Sequence, residues 1–322
     1  MFALLARCAE LHIHQPLLKL RLFDALVRPV LSYACEVWAV VGSKTALADL
    51  EQIEVRFLRM LLGVPQQAST KLVYAEWGRL PLSHFWFQQC LKYFNRMLSL
   101  GNDRPCKLAF MADQQCALGW VQGISNKLRA MGIRLPRSLE SFDYKEVCTL
   151  YKDKVTLQAM SPQADNHLEV NYFKHKVHFR CEPYIAQSKC KQIRKLLASF
   201  RTGSHWLMVC KGRHQRPFLE YSQRKCSMCA CIDDEQHAVF DCCKYEAARS
   251  KFVDLFKHGP NLVAFFTKNP VHRVALFLTA CRAIAAQNGR QPTVCHAPFH
   301  DCDLGLVAEV SAVDDYDSCD DG

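Results

Sequence analysis

Residues 226–242 read CSMCACIDDEQHAVFDC, and no other stretch constrains the chain as much. Cys226 and Cys229 are spaced C-x2-C, which lets two thiolates reach one ion from a tight turn. His237 follows after seven residues and Cys242 after four more. Three sulfurs and one imidazole fill the tetrahedral shell of a structural zinc site, leaving no open position for catalysis. The acids between the halves (Asp233, Asp234, Glu235) suit an exposed loop, and Cys231 and Cys243 stand by as spare thiols. Competing readings are chance pairing in a chain with 18 cysteines, a redox Cys pair and a disulfide. The redox reading lacks the surrounding βαβ pattern. The expectation is one structural Zn2+ held by Cys226, Cys229, His237 and Cys242, in a module that folds around its metal. A second group, Cys295, His296, His300 and Cys302, matches no metal-binding spacing.

The 322 residues allow two or three compact units, and 50% hydrophobic with 22% charged residues is ordinary for a globular protein. The best apolar run, Val274 to Cys281, is far short of the roughly 20 residues a membrane span needs. Arg7 and Glu10 interrupt the first apolar run, so it does not read as a secretory signal. With no export signal, cysteines scattered singly along helices (Cys35, Cys90, Cys148, Cys190) read as reduced, buried thiols. An intracellular protein, cytoplasmic or nuclear or both, is expected. Charge is split along the chain. Residues 301–322 carry eight acids and no Lys or Arg, so the first 300 hold all 41 basic residues against 23 of the 31 acidic ones. A strongly basic body suggests a polyanionic partner, nucleic acid first.

Helical periodicity dominates and period-2 alternation is scarce, which predicts a mainly α fold. In residues 16–41, Leu18, Leu22, Leu26, Val30, Tyr33 and Val37 form one apolar stripe, with Pro29 splitting or kinking the segment. Tyr33 and Trp38 are expected in the core. Leu47, Leu50, Ile53, Phe57, Leu58 and Leu61 mark a second helix that stops at Gly63, with Pro65 beyond. A third helix runs from about Leu82 to Leu100. Further helices are expected over 105–165, around 244–257 and around 271–287.

Three of these stretches resemble a known family. "LRLFDALVRPVLSYACEVWA", "LEQIEVRFLRMLLGVPQQAST" and "VYAEWGRLPL" look like the region after the palm in LINE-type (non-LTR) retrotransposon reverse transcriptases. There, thumb helices carry a Tyr and Glu-Val-Trp, then Leu-Gly-Val-Pro and Glu-x-Gly-x-x-Pro-Leu. "FRTGSHWLMVCKGRH" and the cluster that follows are similar to the carboxy-terminal segment of the same polyproteins, whose CCHC set ends in C-x-x-Tyr-x-x-x-Arg. Here that ending is Cys242, Tyr245 and Arg249. The matches cover roughly residues 15–100 and 197–256, in the family's order. The Cys-to-His spacing of seven departs from the four residues of the retroviral knuckle.

The resemblance implies a thumb-like helical bundle (1–104) and a basic segment with a zinc-knuckle-like module (187–258), while the middle and the tail match nothing in the family and composition and periodicity alone make residues 105–186 a helical connector. A C-terminal helix and loop (259–300) and an acidic, disordered tail (301–322) would follow. The family's polymerase chemistry rests on palm aspartates between apolar strands. The pairs Asp233-Asp234, Asp314-Asp315 and Asp320-Asp321 have no such setting, so no catalytic residue is expected and the chain should not be an enzyme. No P-loop, GxGxxG, GxSxG or HExxH pattern offers another chemistry.

Residues 183–219 hold eight basic residues and no acid. Lys189, Lys191, Arg194, Lys195, Arg201, Lys211, Arg213 and Arg216, with His205 and Trp206 interleaved, are the expected RNA- or DNA-binding surface. The cations would neutralise phosphates and Trp206 would stack on an unpaired base. The bland reading of "KCKQIRKLLASF" is a solvated helix with Ile193, Leu196, Leu197 and Phe200 packed inward, and both readings are compatible. Arg56 and Arg59 read as ordinary surface arginines, with contact to a template–primer backbone as the alternative. The function expected is nucleic-acid binding by a reverse-transcriptase fragment. The alternatives are a structural or protein-interaction zinc module, or a decayed relic.

Overall fold

The computed structural model describes residues 1–134, 143–188 and 190–287. Lys189, the acidic tail and the Cys295/His296/His300/Cys302 group lie outside the described residues. The chain begins with α1 (Phe2–Glu10), α2 (Pro16–Leu26), α3 (Arg28–Leu31) and α4 (Cys35–Trp38). It continues with α5 (Lys44–Leu62), α6 (Thr70–Trp77), α7 (Leu82–Ser99), α8 (Pro105–Asp113) and α9 (Trp120–Ala130). Then come α10 (Tyr144–Met160), α11 (His167–Phe173), α12 (Pro183–Gln187), α13 (Lys191–Arg201) and α14 (Met208–His214). Last are α15 (Glu246–Lys251), α16 (Leu262–Thr267) and α17 (Val271–Gln287). The fold is mainly helical, as the periodicity predicts. Among the described residues no strand forms, only one antiparallel bridge between Lys225 and Ile232.

Helix α5 packs by its expected stripe, with Phe57, Leu58 and Leu61 buried, each contributing roughly 1.5–3 kcal/mol by leaving water. It ends where Gly63 adopts φ +75°, with the Gly63 and Val64 N–H groups both donating to the Arg59 carbonyl. Helix α6 ends at Gly78, φ +57°, against the backbone of Arg180 and Cys181, and a Cβ there has no room. The segment around 244–257 is broken rather than continuous: α15 is flanked by 3-10 turns at Cys243–Tyr245 and Val253–Phe256.

The stripe expected along residues 16–41 faces solvent instead. Leu26 is 59% exposed, Val30 75%, Tyr33 82% and Val37 55%. Phe23 is buried, with Leu17, Leu20, Val27 and Leu31 packed beside it. This segment carries two apolar stripes, and polar chemistry chooses between them. Asp24 must face Arg79, which forms a bidentate pair with it at 2.9 and 2.5 Å. The break around Pro29 and the left-handed Ala34 (φ +54°) then carry Tyr33 outward, while Cys35 and Trp38 turn inward.

Packing groups residues differently from the sequence-drawn boundaries. One core joins α2, α5 and α6 to α12, α13, the cysteine module and α17, spanning Phe23 to Cys281. A second core gathers α4 and α7 to α10, from Cys35 to Tyr151. The boundaries drawn at 186/187 and 258/259 therefore fall inside one apolar core.

Candidate metal centre

Two local devices bring the four sequence-predicted ligands together. The bridge between Lys225 and Ile232 closes the first turn. Within it the Cys226 N–H donates to the Cys231 carbonyl at 2.8 Å and the Ala230 N–H to the Cys226 carbonyl at 3.0 Å. Ala230 sits at φ +57°, a conformation that a Cβ disfavours. The second device is a π turn over His237–Asp241, in which the Cys242 N–H donates to the His237 carbonyl at 2.8 Å. In an α-helix residues five apart point about 140° away from each other. The wider turn, of a kind often found at functional sites, is what the H-x4-C spacing builds. Asp234 starts it by accepting from the His237 N–H at 2.9 Å.

The ligand atoms of Cys226, Cys229, His237 and Cys242 all lie within 4.8 Å of one another. Cys242 Sγ is 3.6 Å from Cys226 Sγ and 3.9 Å from Cys229 Sγ. A tetrahedron with metal–sulfur bonds of about 2.3 Å separates its sulfurs by about 3.8 Å. The residues therefore fit a single four-coordinate metal ion. Cys226, His237 and Cys242 are buried and Cys229 is half-buried, so the cluster is largely shielded from solvent.

Without metal the thiols titrate apart. Burial first, then hydrogen bonding and repulsion from Cys226, pushes Cys242 up to about 12. The Cys243 backbone N–H and thiol, both directed at the Cys229 sulfur, lower the pKa of Cys229. A metal must displace the protons that remain, so its affinity falls in acid.

A second layer holds the ligands in place. Arg249 Nη2 donates to the Cys242 carbonyl at 2.6 Å, and the buried Tyr245 hydroxyl accepts from Trp206 Nε1 at 3.1 Å. Asp233 accepts from the Met208 N–H at 2.7 Å at the start of α14. Glu235 is buried against His205, at 2.8 Å. Burial alone would raise its carboxyl pKa, but the His205 hydrogen bond and charge lower it overall. Thus Asp233 and Glu235 brace the loop rather than line an exposed one. Cys231 Sγ stands 3.2 Å from His237 Nδ1, and Cys243 Sγ 3.4 Å from Cys229 Sγ. Neither joins the set of four mutually close donors.

The expected nucleic-acid residues divide. Lys191, Lys195, Lys211 and Arg216 are exposed. Arg213 is half-buried and donates to the Gly203 carbonyl at 2.6 Å. Arg194 and Arg201 are corrections: both are buried, at 5% and 2% exposure. Seven residues apart, they share one edge of the α13 apolar face, whereas Lys191 and Lys195 point away from it. Arg194 Nη1 donates to the Ser188 carbonyl at 2.7 Å. Arg201 pairs with Glu76 at 2.9 Å and Glu182 at 3.1 Å. Burial weakens the Arg201 guanidinium as a base, but these carboxylates more than offset it and its pKa rises. His205 is a correction too, and Trp206 is half-buried. The His205 side chain is fully covered by its pairing with Glu235, and the Trp206 ring lies 5.5 Å from Phe200 while its N–H serves Tyr245. Arg59 is no surface arginine either, because it donates to the Ala68 carbonyl at 2.6 Å and to Thr70 at 2.9 Å.

Sequence reasoning missed the buried acid at the centre of this architecture. Glu76 accepts from Arg201, from the Tyr172 hydroxyl at 2.9 Å and from the Tyr184 hydroxyl at 2.6 Å. Glu54 accepts from Arg79 at 2.7 Å and Tyr74 at 2.9 Å. The signal was an acid inside an apolar run, VYAEW. Isolated charges are almost never buried without a partner.

Fold and site together define a mainly helical chain carrying a four-residue Cys/His cluster that could hold one metal ion. No protein-family model matches it, and neither a curated protein nor a solved structure matches at significance. Among the described residues no helix is long and apolar enough to cross a membrane.

Proposed function

We propose that the chain is a nucleic-acid-binding, carboxy-terminal part of a LINE-type reverse transcriptase, with one structural zinc ion held by Cys226, Cys229, His237 and Cys242. Three thiolates and an imidazole in a closed shell suit zinc, which would supply folding energy rather than chemistry. In this reading the chain binds RNA or DNA inside the cell, where its thiols stay reduced, and catalyses nothing. Tyr245 and Arg249 brace the cluster, and Glu76 and Gly78 join α6 to the rest of the core. That gives the motif positions behind the resemblance a structural purpose.

One observation carries the nucleic-acid reading. After the buried arginines are set aside, the acid-free stretch still presents Lys191, Lys195, Lys211 and Arg216 to solvent. Exposed cations without neighbouring acids are free to neutralise phosphates. The test is a salt titration of binding to single-stranded and duplex RNA and DNA, for wild type and a variant with all four changed to Gln. The variant should lose about 0.7–0.9 from the salt slope for each phosphate contact removed. An unchanged slope contradicts the reading. Burial of Arg194 and Arg201 supports a second reading, in which the basic segment chiefly organises the core and the zinc module contacts protein. An unchanged slope together with zinc retention is its signature.

A further inference from the structure

The metal cluster has more sulfur around it than four ligands require. Cys243 is exposed, belongs to no mutually close donor set, and holds its Sγ 3.4 Å from Cys229 Sγ. That is shorter than either separation to Cys242 among the ligands, 3.6 and 3.9 Å. The 3-10 turn at Cys243–Tyr245, fixed behind Cys242 by Arg249, sets this position. A disulfide would bring these sulfurs from 3.4 Å to roughly 2.05 Å. Cys242, by contrast, is wholly buried, so an oxidant in solution meets Cys243 first.

We propose that Cys243 and Cys229 form a peroxide-sensitive modification site, whose oxidation to a disulfide removes one thiolate from the metal shell and releases the ion. The inference rests on the metal reading above. Its chemistry uses a hydroperoxide as the two-electron oxidant. The Cys243 thiol gives up its proton and its sulfur attacks the peroxide and breaks the O–O bond, and the proton goes to the departing alkoxide or hydroxide, giving a sulfenic acid and an alcohol, or water from hydrogen peroxide. The Cys229 thiolate then attacks the Cys243 sulfur. The S–S bond forms, and the departing hydroxide takes a proton to become water. Two thiols are oxidised, one peroxide is reduced, and only two sulfurs and one nitrogen remain to hold the ion, too few to retain it. A dithiol reductant reverses the disulfide, which separates this route from irreversible over-oxidation.

The experiment uses the full chain, purified with zinc under reducing conditions and freed of reductant. Zinc release on adding hydrogen peroxide is followed with a chromogenic chelator, and disulfides are mapped by mass spectrometry. Wild type should release zinc with a Cys229–Cys243 disulfide as the first cross-link, and rebind it after dithiothreitol. Cys243→Ser keeps all four ligands, so it should hold zinc at the wild-type level and lose most of the peroxide-driven release. Cys231→Ser should release zinc as wild type does. Equal release by wild type and Cys243→Ser, or a first disulfide elsewhere, overturns the inference and leaves the metal reading standing. Wild type that holds no zinc overturns both.

Discussion

The two cores hold together by different means. In the core of α4 and α7–α10, aromatic rings do most of the work: Trp38 lies against Trp86 at 5.1 Å, Phe87 against Tyr151 at 4.6 Å, and Phe94 against Phe110 at 5.5 Å. Among the described residues no ion pair falls on α7–α10. The larger core is threaded with buried charge: Glu54, Glu76, Lys176 and Arg201 are each at 2% exposure or less. A buried ion pair adds little net stability over well-packed apolar groups, but breaking one is expensive. The apolar core should therefore tolerate repacking better than the charged one. That core also includes Cys226 and Cys242 of the candidate metal cluster, so α6, α13 and the cluster share one packed interior.

The sharpest way to break the comparison is Glu76→Ala. It leaves Arg201 with Glu182 alone and two buried tyrosine hydroxyls without an acceptor, and should cost about 3–5 kcal/mol or prevent folding. Urea unfolding measures it. A loss under about 1 kcal/mol would show that the charged node does not organise the larger core. Leu91→Ala, wholly buried in the aromatic core, should cost about 2–4 kcal/mol and leave metal content unchanged. Equal loss of metal in both variants would erase the distinction between the cores.

Acid should weaken the aromatic core through His84. Burial, and then the nearby Lys152 and Lys127, lowers its pKa to about 4 from the ordinary 6.5. As pH falls below 6.5 the unfolded chain takes up this proton and the folded chain does not. The stability present above that pH is therefore lost progressively down to about pH 4, by up to about 3 kcal/mol. His84→Gln should flatten that part of a stability-versus-pH curve measured by denaturant titration, and an unchanged curve would rule His84 out. The smallest effect is a gain. Ala230→Gly relieves a positive φ in the cysteine turn and should stabilise by several tenths of a kcal/mol, read as a higher midpoint of zinc-loaded unfolding.

How much of this was legible in the sequence depended on whether a signal was local. The four residues of the cluster come together as their spacing predicts because C-x2-C and H-x4-C are each closed by one turn, the π turn at His237 being the device the spacing encodes. Helix α5 was legible because its stripe is single and Gly63 ends it. Residues 16–41 misled because they carry two apolar stripes, and the choice lies with Arg79, some fifty residues away. Arg194 and Arg201 misled for the same reason: whether a cation on an amphipathic helix meets solvent or a carboxylate depends on Glu76 and Glu182, which no local pattern announces.

X-ray absorption at the zinc edge on purified, reduced chain tests the central claim most directly. One zinc per chain should show three sulfurs at about 2.3 Å and one nitrogen at about 2.0–2.1 Å, with the nitrogen lost in His237→Ala. Chain without bound zinc, or a shell of oxygen and nitrogen alone, would contradict it.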